Sequence, residues 1–258
     1  MRPKRASLGR AKLMTTWYKD PIGTALNVYG GVFNVRKFGD NTNIGTATVP
    51  EDIWNGGGLW VAPTEARVHS IVSTEIADTQ TVRISGLTGW NLREEHENVV
   101  LDGTTPVNTT KSWVIIHRMC CTTGGVNTGV VTATAATDAT VTAQIDANAG
   151  QTSMFIYGVG GGHKLIITGA VFGGTQTQTH AYAEILLQIN DNPADGLTEF
   201  RTIGRRTANM QSTSIVSLPF ATVPLVISGP AIVKAQISDV GGNDTSVFGE
   251  FYGHVVQV

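Results

Sequence analysis

Apolar and polar positions alternate with a period of two in one short run after another along this chain, which is the spacing of half-buried β-strands. In QTVRISGL (80–87), Val82 and Ile84 alternate with Arg83 and Ser85. Strand-like runs also occur in LNVYGGVFNVRKF (26–38), which is broken by Gly30-Gly31, and in ARVHSIVS (66–73), NLREEHENVVL (91–101) and KSWVIIHRMCC (111–121). GVVTATAATDATVTAQIDA (129–147) reads as a hairpin with Ala136, Thr137 and Asp138 near its turn. Between the runs, GLTGWN and LDGTTP supply Gly and Pro where turns need them. The segment 40–60 reads as a loop with two aromatic anchors, Trp54 and Trp60.

From AGQTS (149–153) the chain begins a second set: SMFIYGV, HKLIITGAVF, HAYAEILLQIN, TEFRTIGRR, TSIVSLPF, PLVISG, AIVKAQIS and SVFGEFYGHVVQV. Gly and Asx turns separate these runs at the spacing of an eight-stranded sandwich or jelly roll. HAYAEILLQI alone has a helical claim, and it is too short and too poorly capped to sustain one. The expectation is an all-β protein in three segments: an extended arm over 1–25, a β-sandwich domain over 26–150, and a jelly-roll-like β-sandwich domain over 151–258.

Composition agrees, because charged residues are only 15% of the chain against 30 glycines and 34 threonines. Thr is stiff at χ1 and suits a pleated surface, while Gly supplies turns. No window approaches the roughly 18 to 20 consecutive apolar residues that span a bilayer, so a soluble protein without membrane contact is expected. The start, MRPKRASLGRAKLMTTWYKD, has a basic stretch with no apolar run behind it. No secretory signal is therefore read there, and assembly in a cytoplasm is expected. Cys120 and Cys121 are neighbours that leave a strand on opposite faces, so both are expected to be free thiols.

The net charge of −2 hides an asymmetry. Arg2, Lys4, Arg5, Arg10 and Lys12 leave 13 basic against 20 acidic residues in the rest of the chain. A basic arm on an acidic body suggests a tail that reaches an acidic partner, either nucleic acid or another protein's surface. Those five charges would guide the arm, and Trp17 and Tyr18 would fill apolar grooves on the partner. Lysine, the usual guard of open strand edges, is scarce, so some edges are expected to be covered by neighbouring subunits.

Candidate chemistry is sparse. REEHEN (93–98) places Glu95 and Glu97 on one face of a strand and Glu94 and His96 on the other, and reads as a solvated face rather than a metal site. Alanine at Glu95, His96 or Glu97 should therefore cost little. The other histidines stand singly, without HExxH or CxxC spacing. GVGGGH (158–163) precedes a strand-like run rather than the helix that a phosphate loop needs. In DNPADG (191–196), Pro193 occupies what would be a calcium-ligand position. No GxSxG occurs, and the chain is expected to be no enzyme and to hold no metal or cofactor.

The segments KFGDNTNIGTATVPEDIWNGGG (37–58), VRISGLTGW (82–90), LDGTTPVNTTKSWVIIHRM (101–119), ATAATDATVTAQIDANAGQTSMFIYGV (133–159) and GGNDTSVFGEF (241–251) resemble a family of uncharacterised structural proteins of tailed bacteriophages, common in marine phages. GVGGGHK stands where many members have a Pro-Ala-Gly-Lys type of turn, and the basic arm is longer than usual. The resemblance brings no catalytic residues. It implies a virion protein, foremost a capsid decoration or cement protein forming a homo-oligomer, a trimer by preference. Its partners would be the major capsid protein or other virion proteins, with no specific nucleic acid. A tail adaptor or fibre-anchoring protein is the alternative. A carbohydrate-binding receptor protein is a further one, favoured if several of Trp17, Trp54, Trp60, Trp90 and Trp113 lie on the surface.

Overall fold

The computed structural model describes residues 31–61, 65–175, 182–196, 198–210, 214–219 and 223–258, and over them the chain is nearly all β. Among these residues the helical content is one 3-10 turn, Pro193–Asp195. The chain opens with strands β1 (Val32–Ile44) and β2 (Glu51–Asp52). There follow β3 (His69–Ser73), β4 (Thr81–Leu87), β5 (Glu95–Val100), β6 (Val107–Asn108), β7 (Ile115–Cys121), β8 (Val131–Ala135) and β9 (Val141–Ile145). The last group is β10 (Ile156–Val159), β11 (His163–Thr175), β12 (Tyr182–Asn190), β13 (Arg201–Asn209), β14 (Ser214–Pro219), β15 (Leu225–Ser228), β16 (Ala231–Val240) and β17 (Thr245–Gln257).

Two five-stranded antiparallel sheets enclose one core. The first has the order β1-β17-β11-β14 with β15 also on β11, and the second has the order β10-β16-β12-β13 with β2 on β16. β14 pairs with Gly169–Gly174 and β15 with Lys164–Ile167, so the two act as one interrupted strand along β11. If β1, β10, β11, β12, β13, β14/β15, β16 and β17 are counted as strands one to eight, the sheets run one-eight-three-six and two-seven-four-five. The first strand lies beside the last and the second beside the seventh, which is the double Greek key of a jelly roll. Its core includes Ile44, Leu165, Phe172, Leu187, Val233 and Phe251. The alternation in β17 explains the packing: Val247, Gly249 and Phe251 point inward while Phe248 and Tyr252 point out. Burying a side chain such as Phe251 contributes roughly 1.5–3 kcal/mol. Gly249 leaves room for the rings, since a Cβ there would come 2.7 Å from Phe172 and 3.0 Å from Phe155.

Strands β3 to β9 form a second sandwich, inserted between β2 and β10. Its sheets, β6-β3-β8-β9 and β5-β4-β7, enclose Ile71, Ile84, Trp113, Ile115, Met119 and Ala133. The two ends of the insertion meet. The Asn55 amide donates to the Ser153 carbonyl at 2.9 Å, and the Phe155 amide donates to the Ile53 carbonyl at 2.8 Å.

Strand β10 runs between the two cores. Tyr157 and Val159 join the jelly-roll core, whereas Ile156 joins that of the inserted sandwich. Gly158 lets the sandwiches approach, because a Cβ there would lie 2.7 Å from Ile115 Cγ2.

Pairing cuts across the division expected at residue 150. β1 and β2 belong to the 26–150 segment by sequence, yet β1 pairs with β17 and β2 with β16. Alternation specifies which face of a strand is buried, but not which distant strand it joins. The runs at 66–73, 80–87, 91–101 and 111–121 each contain a strand, and Val131–Ala135 pairs with Val141–Ile145 as the expected hairpin. HAYAEILLQIN contributes a strand, β12.

Candidate functional site

A group of ionisable side chains gathers where the inserted sandwich meets the jelly roll. Lys37, buried on β1, donates to the carbonyl of His117 on β7. The His117 ring is buried, stacks on Tyr157 of β10 with centroids 4.5 Å apart, and brings Nε2 to 3.3 Å from Glu94 Oε2. The Tyr157 hydroxyl donates to the same carboxylate at 3.1 Å. His96 Nδ1 sits 3.9 Å from Glu94 Oε1 and 2.9 Å from Ser85 Oγ on the neighbouring strand. His117 Nδ1 is buried without a hydrogen-bond partner.

Charge at this junction is finely opposed. Partial burial pushes the Glu94 carboxyl up, but the attraction and hydrogen bond of His117 outweigh it, helped by His96 and Tyr157, and hold it at about 2. Burial, and then the neighbouring Arg118, push the Lys37 ammonium down to about 7 against the pull of Glu94. Burial and the Glu94 charge raise Tyr157 well above the usual phenol range. Burial and Arg83 lower His96. Ser85, His96 and Glu94 do not form a catalytic relay: the serine and the carboxylate both face Nδ1, whereas a triad uses the two ring nitrogens separately.

REEHEN is a solvated face, with Glu94 and His96 exposed and Glu95 and Glu97 half-buried, and its carboxylates also make specific contacts. Glu97 accepts from the Thr110 amide at 2.6 Å, the Thr110 hydroxyl at 2.9 Å and the Lys111 amide at 3.1 Å. Glu95 pairs with Lys111 at 2.6 Å. Both anchor the turn before Trp113, while Glu94 serves the junction. Among the described residues no group of three or more His, Cys, Asp or Glu is placed to hold a metal ion.

A second polar strut ties the sandwiches together. Asp52 of β2, with no exposed surface, pairs with Lys234 of β16 at 2.8 Å and accepts from the Trp60 amide, also at 2.8 Å. Burial raises the Asp52 carboxyl, and Lys234 offsets part of that rise. The Lys234 ammonium also lies 4.4 Å from the centre of the Phe200 ring. Trp60 in turn donates through Nε1 to the Thr142 carbonyl, at 2.9 Å, inside the inserted sandwich.

Of the other sequence candidates, the arm residues Arg2, Lys4, Arg5, Arg10, Lys12, Trp17 and Tyr18 lie outside the described residues. Trp54, Trp60, Trp90 and Trp113 are all buried, which removes them as a surface for sugar stacking. Cys120 and Cys121 are free thiols. Gly160 and Gly161 form a tight connection against Leu92 and Asn91: a Cβ on Gly160 would come 1.9 Å from the Leu92 carbonyl oxygen. Asp191 pairs with Arg201 at 2.7 Å and Asp195 accepts from Asn192 at 2.6 Å, so both serve the turn. The outer strand β13 carries exposed Arg201, Arg205 and Arg206, which guard that edge in place of lysine.

No protein-family profile and no curated protein matches this chain. Among solved structures, a likeness is found to a chain in the structure of infectious bursal disease virus, Gt strain. It has 10% identity, covers 88% of this chain and 73% of that one, and has a TM-score of 0.26. At that score the two chains are not superposable as wholes, and the jelly roll rests on the strand order alone.

Proposed function

We propose that the chain is a structural protein of a tailed-phage virion, a capsid decoration or cement protein that sits on the particle surface as a homo-oligomer. The observation that carries this reading is the nested strand order of the larger sandwich, a frame that viral capsid domains share with lectins and cupins. Fold alone leaves those classes open. The resemblance of five sequence segments to tailed-phage virion proteins favours the first, and the buried tryptophans take from the sugar-binding reading the feature that favoured it. On β1, an outer strand, Val32–Val35 has no charged guard and leaves Phe33 54% exposed, which suits a subunit contact.

Quantitative mass spectrometry of purified particles tests the assignment. A decoration protein should be present in fixed proportion to the main shell protein. A handful of copies per particle would move it to the tail, and absence from particles would overturn the reading.

A further inference from the structure

Where the outward face of the jelly roll's first sheet runs up to the inserted sandwich, the surface is hollowed. The hollow has a volume of about 650 Å³, within the ordinary range of ligand sites. Its floor is the outward side of β1 and β17, where Phe38 stands opposite Glu250 and Asp40 opposite Phe248, so the two rings are diagonal neighbours across the ladder. Phe248 is 39% exposed there. Arg118 of β7 and Gln151 form the wall on the side of the insertion. A second hollow, of about 590 Å³, lies against Thr122–Val126 and shares Arg118 and Gln151 with the first, so the two make one groove across the boundary.

The polar groups along the groove are held by one another. Arg36 donates to Glu250 at 2.8 Å, and Arg118 donates to Gln151 Oε1 at 3.0 Å. A guanidinium has more N–H groups, and a carboxylate more lone pairs, than one such bond uses, so both pairs can still donate and accept. The charged side chains of the lining are Arg36, Arg118, Asp40 and Glu250, two of each sign, which disfavours a polyanion. β17, at the middle of the floor, already pairs with β1 and β11, so no peptide strand can be added there. A sugar ring meets both demands, because its C–H face packs on an aromatic ring while its hydroxyls both donate and accept. We propose that this groove binds a neutral oligosaccharide, with one ring on Phe38 and Phe248 between Asp40 and the Arg36–Glu250 pair, and further units running past Arg118 and Gln151 into the second hollow. The site uses none of the tryptophans and does not rest on the virion reading.

An array of neutral, sialylated and sulfated oligosaccharides probed with the full chain tests the groove, and isothermal titration then ranks each sugar that binds. A neutral oligosaccharide should bind, and more tightly than its single unit, because the second hollow takes the units beyond the first. Phe248→Ala and Arg118→Ala should each weaken that binding by about tenfold or more, whereas Arg206→Ala, on the exposed edge strand β13, should leave it unchanged. Arg118 is exposed, so its variant should keep the parent's thermal midpoint. Binding of no neutral sugar, or of anionic sugars alone, overturns the proposal. So does a folded Arg118→Ala chain that binds as tightly as the parent, whatever becomes of the Phe248 variant. A random-peptide library captured by the parent and lost by Arg118→Ala, with no sugar bound, would make this a peptide groove and overturn the proposal as well.

Discussion

Asp78 shows how much one side chain organises in a fold with few charges. It has no exposed surface and accepts from Ser73 Oγ at 2.6 Å, the Thr128 amide at 2.7 Å and the Gly129 amide at 2.9 Å. Removing it strands donors that cost about 1–3 kcal/mol each when buried and unpaired. Asp78→Ala should therefore lower stability by about 3 kcal/mol in urea unfolding, and a loss near the roughly 0.5 kcal/mol of surface changes would show that the loop closes without it. Burial pushes this carboxyl up, but the Ser73 hydroxyl and the two amides outweigh it and hold it below the usual range. The folded state thus binds this proton less readily than the unfolded chain. The contribution is whole above the unfolded value and fades as pH falls through the folded one, so Asp78→Asn should flatten that part of the acid limb. None of this is legible in STEIADTQ, because the donors at 128 and 129 lie some fifty residues on. The same distance hid the junction. Glu94 stands out in the sequence, but His117, Tyr157 and Lys37 give no local sign that they meet it.

At the scale of strands, glycine marks the places where backbones touch. At the irregularity where β4 shifts register against β7, a Cβ on Gly86 would lie 2.0 Å from the Ile115 carbonyl oxygen. On β1, a Cβ on Gly39 would lie 2.2 Å from the Phe155 nitrogen. Overpacking of this kind costs about 1–3 kcal/mol or more. Gly86→Ala and Gly39→Ala should each lower the thermal midpoint clearly, and Gly204→Ala, whose Cβ would meet Leu187 only at an ordinary 3.5 Å, should hardly move it. Equal effects at all three positions would sink the argument. Strands themselves were largely legible, since Val82, Ile84, Val131 and Ala133 are buried as their alternation requires. Partnership was not: the run at 26–38 reads like its neighbours, and nothing local joins it to SVFGEFYGHVVQV.

For the molecule as a whole, an insertion whose ends are a hydrogen bond apart is separable in principle. Replacing residues 54–153 by a short glycine turn should leave a jelly roll that still unfolds cooperatively, and residues 54–153 alone should do the same. Excision uncovers Ile156 and Ile232, which pack into the insertion's core, so Ile→Thr at both should restore solubility to the excised form. Circular dichroism showing no cooperative transition in either piece would mean that the sandwiches cannot stand apart. The pairing of β1 with β17 sets the order of events during synthesis. Domains generally fold as units while the chain emerges from the ribosome, and the inserted sandwich is complete once residue 153 is out. β1, made long before, waits unpaired until Thr245–Gln257 arrives. A message cut short would thus yield a chain with its insertion formed and its frame open. β17 thus acts as a check on synthesis, because the frame closes only once Thr245–Gln257 has been made.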